Sequence, residues 1–70
     1  MILAERISAD PKILGGKPVI EGTELAAGYI LELLAAGETH QAILSRHPEL
    51  QPEDILACID YGRQVVHDFG

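Results

Sequence analysis

Gly15, Gly16, Pro18 and Gly22 stand within eight residues of one another, and this cluster divides the chain. No helix runs through such a stretch. Glycine loses the most backbone freedom on folding, and proline lacks the N–H that a helix interior needs. Asp10-Pro11 adds a break upstream, because the residue before a proline is pushed to extended backbone. The first third therefore reads as strand and turn. Leu3 to Ser8 is expected to form one short strand and Lys17-Pro18-Val19-Ile20 another, with Pro18 confined to an edge or a strand start. The two would make a small hairpin held by Ile7, Ile13, Leu14, Val19 and Ile20.

Beyond Gly22 the pattern turns helical. Ala27, Ile30, Leu31 and Leu34 recur at helical spacing, which predicts a first helix from about Ala26 to Ala36, with Gly37 as its left-handed cap. Thr39 is placed to cap a short second helix, Gln41 to about Arg46, with Ile43 and Leu44 inward; Pro48 stops it. Pro52 suits a first helical position, and Glu53-Asp54 suit the positive end of the helix dipole. The inward face of the third helix is expected to carry Ile55, Ile59, Gly62, Val66 and Phe69, with Leu56 beside it. A mid-helix glycine costs about 1 kcal/mol relative to alanine, so Gly62 is read as the site of a close helix crossing. The expected fold is mainly α. It is one domain over 1–70, with a β-hairpin arm at 1–24 and a three-helix body at 25–70. Long, short and longer helices joined by tight turns are the shape of a tri-helical helix-turn-helix bundle.

Composition narrows what such a body can do. Seventy residues with a hydrophobic fraction of 47% and only Tyr29, Tyr61 and Phe69 as aromatics require an aliphatic core. A domain of this size buries only about 60% of its unfolded surface. Surplus apolar surface usually ends in an interface, so a homodimer is expected. The net charge is −6, eleven acids against five bases, the wrong sign for gripping phosphates unaided. Cys58 stands alone, which implies no disulfide and no oxidising compartment. The N-terminus lacks a basic stretch leading into a long apolar run, and no segment approaches 18 uninterrupted apolar residues. A cytoplasmic protein without membrane contact is expected.

Chemistry has little to stand on. His40, His47 and His67 pair neither with one another nor with Cys58 at metal-ligand spacing. Cys58, beside the apolar face, reads as a small buried hydrophobe. Gly15-Gly16-Lys17 lacks the spacing and the following helix of a phosphate loop. The acids are scattered singly, and a short chain leaves little room for a concave active site. No catalytic, cofactor or metal residue is assigned, no small-molecule substrate is expected, and the chain is not read as an enzyme. If the three helices docked on DNA, the third would lead with Gln51-Pro52-Glu53-Asp54, whose carboxylates phosphates repel. Arg63 is the one guanidinium on the exposed face beyond, and Lys12 and Lys17 could add backbone contacts.

Arg6-Ile7-Ser8, Asp10-Pro11, Ile13-Leu14-Gly15-Gly16-Lys17-Pro18-Val19-Ile20 and Gly22-Thr23 together resemble the signature of the domain-of-unknown-function family numbered 433. The later segments Ile30 to Gly37, Ile43-Leu44, His47-Pro48, Leu50, Pro52 to Ile55 and Tyr61 continue the likeness, which spans Glu5 to about Val65. The resemblance implies a homeodomain-like tri-helical body with a small β element. It also implies a VapB-type antitoxin that binds and neutralises a PIN-like nuclease toxin, with operator DNA as a further partner for autoregulation. The alternative is a helix-turn-helix transcriptional regulator acting through Lys12, Lys17 and Arg63. Glu21 and Glu24 stand where the family often has arginine, so their turn is expected to meet a basic patch on the partner. Lys17, Glu21, Glu24, Asp60 and Arg63 are the expected partner-binding residues.

Overall fold

A computed structural model describes residues 1–69. In chain order its elements are β1 (Ile2–Ala4), β2 (Ile7–Ser8), a 3-10 turn (Leu14–Gly16), β3 (Val19–Ile20), α1 (Ala27–Ala35), α2 (His40–Arg46) and α3 (Pro52–Phe69). The chain is mainly helical, with a small antiparallel sheet ordered β1-β2-β3 at its N-terminal end.

That sheet has one strand more than the expected hairpin. Leu3 to Ser8 does not run straight: Arg6 takes a φ of 66°, and the chain doubles back so that β1 pairs with β2. β2 then pairs with β3, Ile7 opposite Ile20 and Ser8 opposite Val19. Glu5-Arg6 contains none of the glycine, proline, asparagine or aspartate that mark turns, so the reversal leaves no local signal. Ile7, Val19 and Ile20 are buried as expected, but Leu14 is 47% exposed.

Helix ends follow the sequence closely. Gly37 sits at φ 94°. Its N–H donates to Leu34 O at 3.0 Å and the Glu38 N–H donates to Leu33 O at 3.1 Å, the paired bonds that close a helix through a left-handed glycine. Thr39 Oγ1 accepts the Ala42 N–H at 3.0 Å and opens α2. The core gathers Ile7, Ile20, Ala27, Ile30, Ile43, Leu50, Ile55 and Cys58 from sheet and helices alike.

The inward face of α3 is rotated from the expected one. Ile55 and Cys58 are fully buried and Tyr61 and Gly62 partly so, but Ile59 is 39% and Val66 70% exposed. The cause is Asp54, which points inward and is only 6% exposed. Apolar spacing assigns the inward sector to Ile59, about 140° from Asp54 around the helix, on the other flank of Ile55. From Arg63 to Asp68 every side chain is exposed, so the last turns of α3 project beyond the body. The Phe69 side chain, also expected on the inward face, lies outside the described set.

Gly62 does mark the helix crossing. A Cβ built there would lie 2.9 Å from Leu31 Cδ1 of α1. Gly62→Ala should leave stability within about 0.5 kcal/mol, since a helix-propensity gain of about 1 kcal/mol is offset by shifting the end of Leu31. Gly62→Val forces the helices apart and should cost about 1–3 kcal/mol. Urea midpoints of the two variants check both signs.

Candidate functional site

The site is built on the β1–β2 turn. Arg6, left-handed at the tip of that turn, sends Nη1 to Asp54 Oδ1 on α3 at 3.0 Å. Asp54 Oδ2 accepts the Gln51 N–H at 2.8 Å, while the Asp54 N–H donates to Gln51 O at 2.9 Å. These reciprocal bonds satisfy the donors that the start of a helix would otherwise leave open. The Glu21 N–H donates to Arg6 O at 2.8 Å, which ties the segment after β3 to the same turn. Arg6 thus holds the sheet against the first turn of α3.

Between turn and helix lies an open groove of about 340 Å³. Ala4, Leu56 and Ala57 give it an apolar floor, with Leu56 58% exposed. Glu5, Glu53 and Asp60 bring three carboxylates to the groove. Glu53, Leu56 and Asp60 meet there because residues three and four apart share a helix face. The cations nearest the groove are engaged: Arg6 by Asp54, and Arg63 by Asp60 through Nε at 3.0 Å and Nη2 at 2.9 Å. Gln64 Nε2 donates to the other Asp60 oxygen at 2.8 Å. The hydrogen bonds from Arg63, then from Gln64, hold the Asp60 carboxyl below its ordinary range, so it is ionised at neutral pH. The groove offers an apolar strip flanked by the carboxylates of Glu5 and Glu53 and by the Asp60–Arg63 ion pair.

A second depression, about 410 Å³, lies against the start of α1 and is lined by Lys17, Pro18, Ala26, Gly28, Tyr29 and Glu32. There the Tyr29 hydroxyl and His47 Nε2 lie 3.1 Å apart, with the rings edge to face at 84°. This contact joins α1 to the end of α2. One lysine and one glutamate give the depression no net sign.

Of the expected partner-binding residues, Asp60 lines the groove and Arg63 is paired with it. Lys17 lines the other depression. Glu21 and Glu24 are exposed in the segment after β3 and line neither hollow; Lys12 is exposed and its N–H is held by Asp10 Oδ1 at 2.9 Å. Glu5 was not singled out, Leu56 was expected beside the inward face but is 58% exposed, and Glu53 was noted for the helix dipole and as a carboxylate that repels phosphate. Their meeting depends on the Arg6–Asp54 pair, whose partners are 48 positions apart, and no local pattern announces it.

A family model described as a protein of unknown function, DUF433, matches residues 7–62. The chain belongs to the DUF433 family. The DUF433 match takes in the helical wall of the groove, Glu53 to Asp60, and begins just after the turn that forms the other wall. No curated protein and no solved structure matches the chain. Among the described residues no three His, Cys, Asp or Glu side chains gather as a metal-binding group, and no helix is long and apolar enough to cross a membrane.

Cys58 is fully buried in this DUF433 core. Burial, and then the Asp54 charge, push its thiol from 9.0 up to about 11, which makes it a poor nucleophile. A group whose pKa is raised on folding stabilises the fold below its unfolded value, here near 9, and that contribution is lost as pH climbs towards 11. The loss should reach about 2–3 kcal/mol at most. Between pH 8 and 10.5 the melting temperature of the wild type should fall more than that of Cys58→Ala, and parallel declines would contradict the assignment.

Proposed function

We propose that this DUF433 domain is an antitoxin that binds and neutralises a PIN-like nuclease toxin by protein–protein contact, with the acidic groove along α3 as the contact. The observation that supports the reading is the pairing of an apolar floor, exposed Leu56 beside half-buried Ala57, with the carboxylates of Glu5, Glu53 and Asp60. A nuclease holds RNA through basic surface. An acidic groove covers such surface, complementary charge speeds the encounter, and an apolar centre shielded from water supplies much of the affinity. Neutralisation needs no chemistry from the antitoxin, because a covered basic surface no longer admits RNA. The reading places the protein in the cytoplasm, where its target would be made.

The regulator reading draws on Lys12 and Lys17, exposed on one loop, and on Arg63, which is exposed but paired with Asp60. Two cations give a weak grip on phosphate, and Glu53 and Asp60 stand where a recognition helix would approach DNA.

Co-expression with the adjacent open reading frame tests the proposal. The tagged domain should co-purify a small nuclease and rescue growth. Glu53→Lys with Asp60→Lys should weaken that complex at least about 100-fold, some 2.7 kcal/mol, since like charges set against each other cost several kcal/mol. A pull-down that recovers no nuclease would overturn the proposal.

A further inference from the structure

Among the described residues two that are not glycine take left-handed backbone, Arg6 in the β1–β2 turn and Leu14 in the connection between β2 and β3. Leu14, Gly15 and Gly16 take φ values of 48°, 66° and 89° in succession. Glycine adopts such backbone freely; a leucine there is an outlier that persists only where its surroundings hold it. Asp10 does part of the holding: its Oδ1 accepts the Lys12 N–H and its backbone O the Ile13 N–H, each at 2.9 Å. The Gly16 N–H then closes on Ile13 O at 3.0 Å. The outcome is an ordered loop that keeps Leu14 half out of the core. Exposed Lys12 and Lys17 flank it, and no acid stands between Asp10 and Glu21. On a chain of net charge −6 this loop is a small positive surface with one apolar side chain at its centre.

The groove on α3 carries the converse pattern, an apolar floor at Leu56 and Ala57 with the carboxylates of Glu5 and Glu53, the Asp60–Arg63 ion pair and the Asp54-bound Arg6 around it. Its volume of about 340 Å³ exceeds that of a leucine side chain. The two features stand at opposite ends of β2: the β1–β2 turn that walls the groove precedes it, and the left-handed loop follows it. Two copies lying side by side and antiparallel would bring each loop to the other's groove, as a two-fold interface requires.

We infer that a second copy of this chain fills the groove. Its Leu14 lies on Leu56, and its Lys12 and Lys17 face Glu5, Glu53 and Asp60, with the exchange made reciprocally. The inference rests on the groove being a protein-binding surface, and it makes the second copy a competitor of the nuclease for that surface.

Sedimentation velocity on purified chains, with far-UV circular dichroism to confirm folding, tests it. The wild type should form dimers at micromolar concentration. Lys12→Glu with Lys17→Glu should weaken dimerisation at least about tenfold, as should Glu53→Lys with Asp60→Lys. An equimolar mixture of the two double variants should dimerise again, since every loop then meets a groove of opposite sign. Leu14→Ser, which leaves all charges in place, should also weaken the dimer. A wild type that stays monomeric at high micromolar concentration overturns the inference, as does a mixture that stays monomeric. A monomer that still binds the nuclease overturns the pairing alone. A charge-dependent dimer without nuclease binding supports the pairing and counts against the antitoxin reading.

Discussion

Ile55→Asp is expected to unfold the domain, whereas Ile59→Asp leaves it folded and changes stability by less than about 1 kcal/mol. Both are isoleucines on one helix, one turn apart, so propensity cannot separate them. Ile55 is fully buried among Ile7, Ile30 and Ile43, and a carboxylate there would have neither water nor a cation. It would also stand beside Asp54, whose one ion-pair partner, Arg6, is already engaged. An unpaired buried charge costs several kcal/mol, comparable to the 5–15 kcal/mol that typically separates folded from unfolded states. Ile59, 39% exposed, lets a carboxylate reach water. Far-UV melting curves decide the matter: a cooperative transition for the first variant, or none for the second, would mean that α3 is turned the other way.

Asp54→Ala should cost about 2–4 kcal/mol. The substitution removes the capping bond to the Gln51 N–H, worth about 1 kcal/mol, and breaks an ion pair with one end buried. The Asp54 side chain is 9% exposed and that of Arg6 38%, so the orphaned guanidinium can turn to water, which keeps the cost below that of a fully buried pair. Arg6→Ala leaves the buried carboxylate without a cation, its remaining bond coming from the Gln51 N–H, and should cost at least as much. Because the two side chains share one interaction, their losses should not add, and a double-mutant cycle measured by urea denaturation reads the coupling. Additive losses would show that Arg6 and Asp54 act independently, and that the turn is held to α3 by something else.

The helical two-thirds of the fold was legible in the sequence because its signals are local. Gly37, Thr39 and Pro52 each mark a boundary by their own backbone chemistry, and Gly62 marks the crossing by its missing side chain. The β1–β2 turn was not legible, because Arg6 adopts left-handed backbone without a turn residue to announce it. The rotation of α3 was hidden for a related reason. Apolar spacing ranks an aspartate as outward, and only its tertiary partner turns it inward. The candidate site depends on both features. Asp60 and Arg63 were visible as exposed helix residues, but Glu5 joins the groove only once Arg6 has pinned the turn against Asp54.

The most direct measurement is a titration of the purified domain against RNA cleavage by the nuclease of the adjacent reading frame. The account predicts inhibition that saturates near one domain per nuclease and weakens at least about 100-fold when Glu53 and Asp60 are both changed to lysine. Cleavage untouched by the wild-type domain, or inhibition indifferent to that charge reversal, would contradict it.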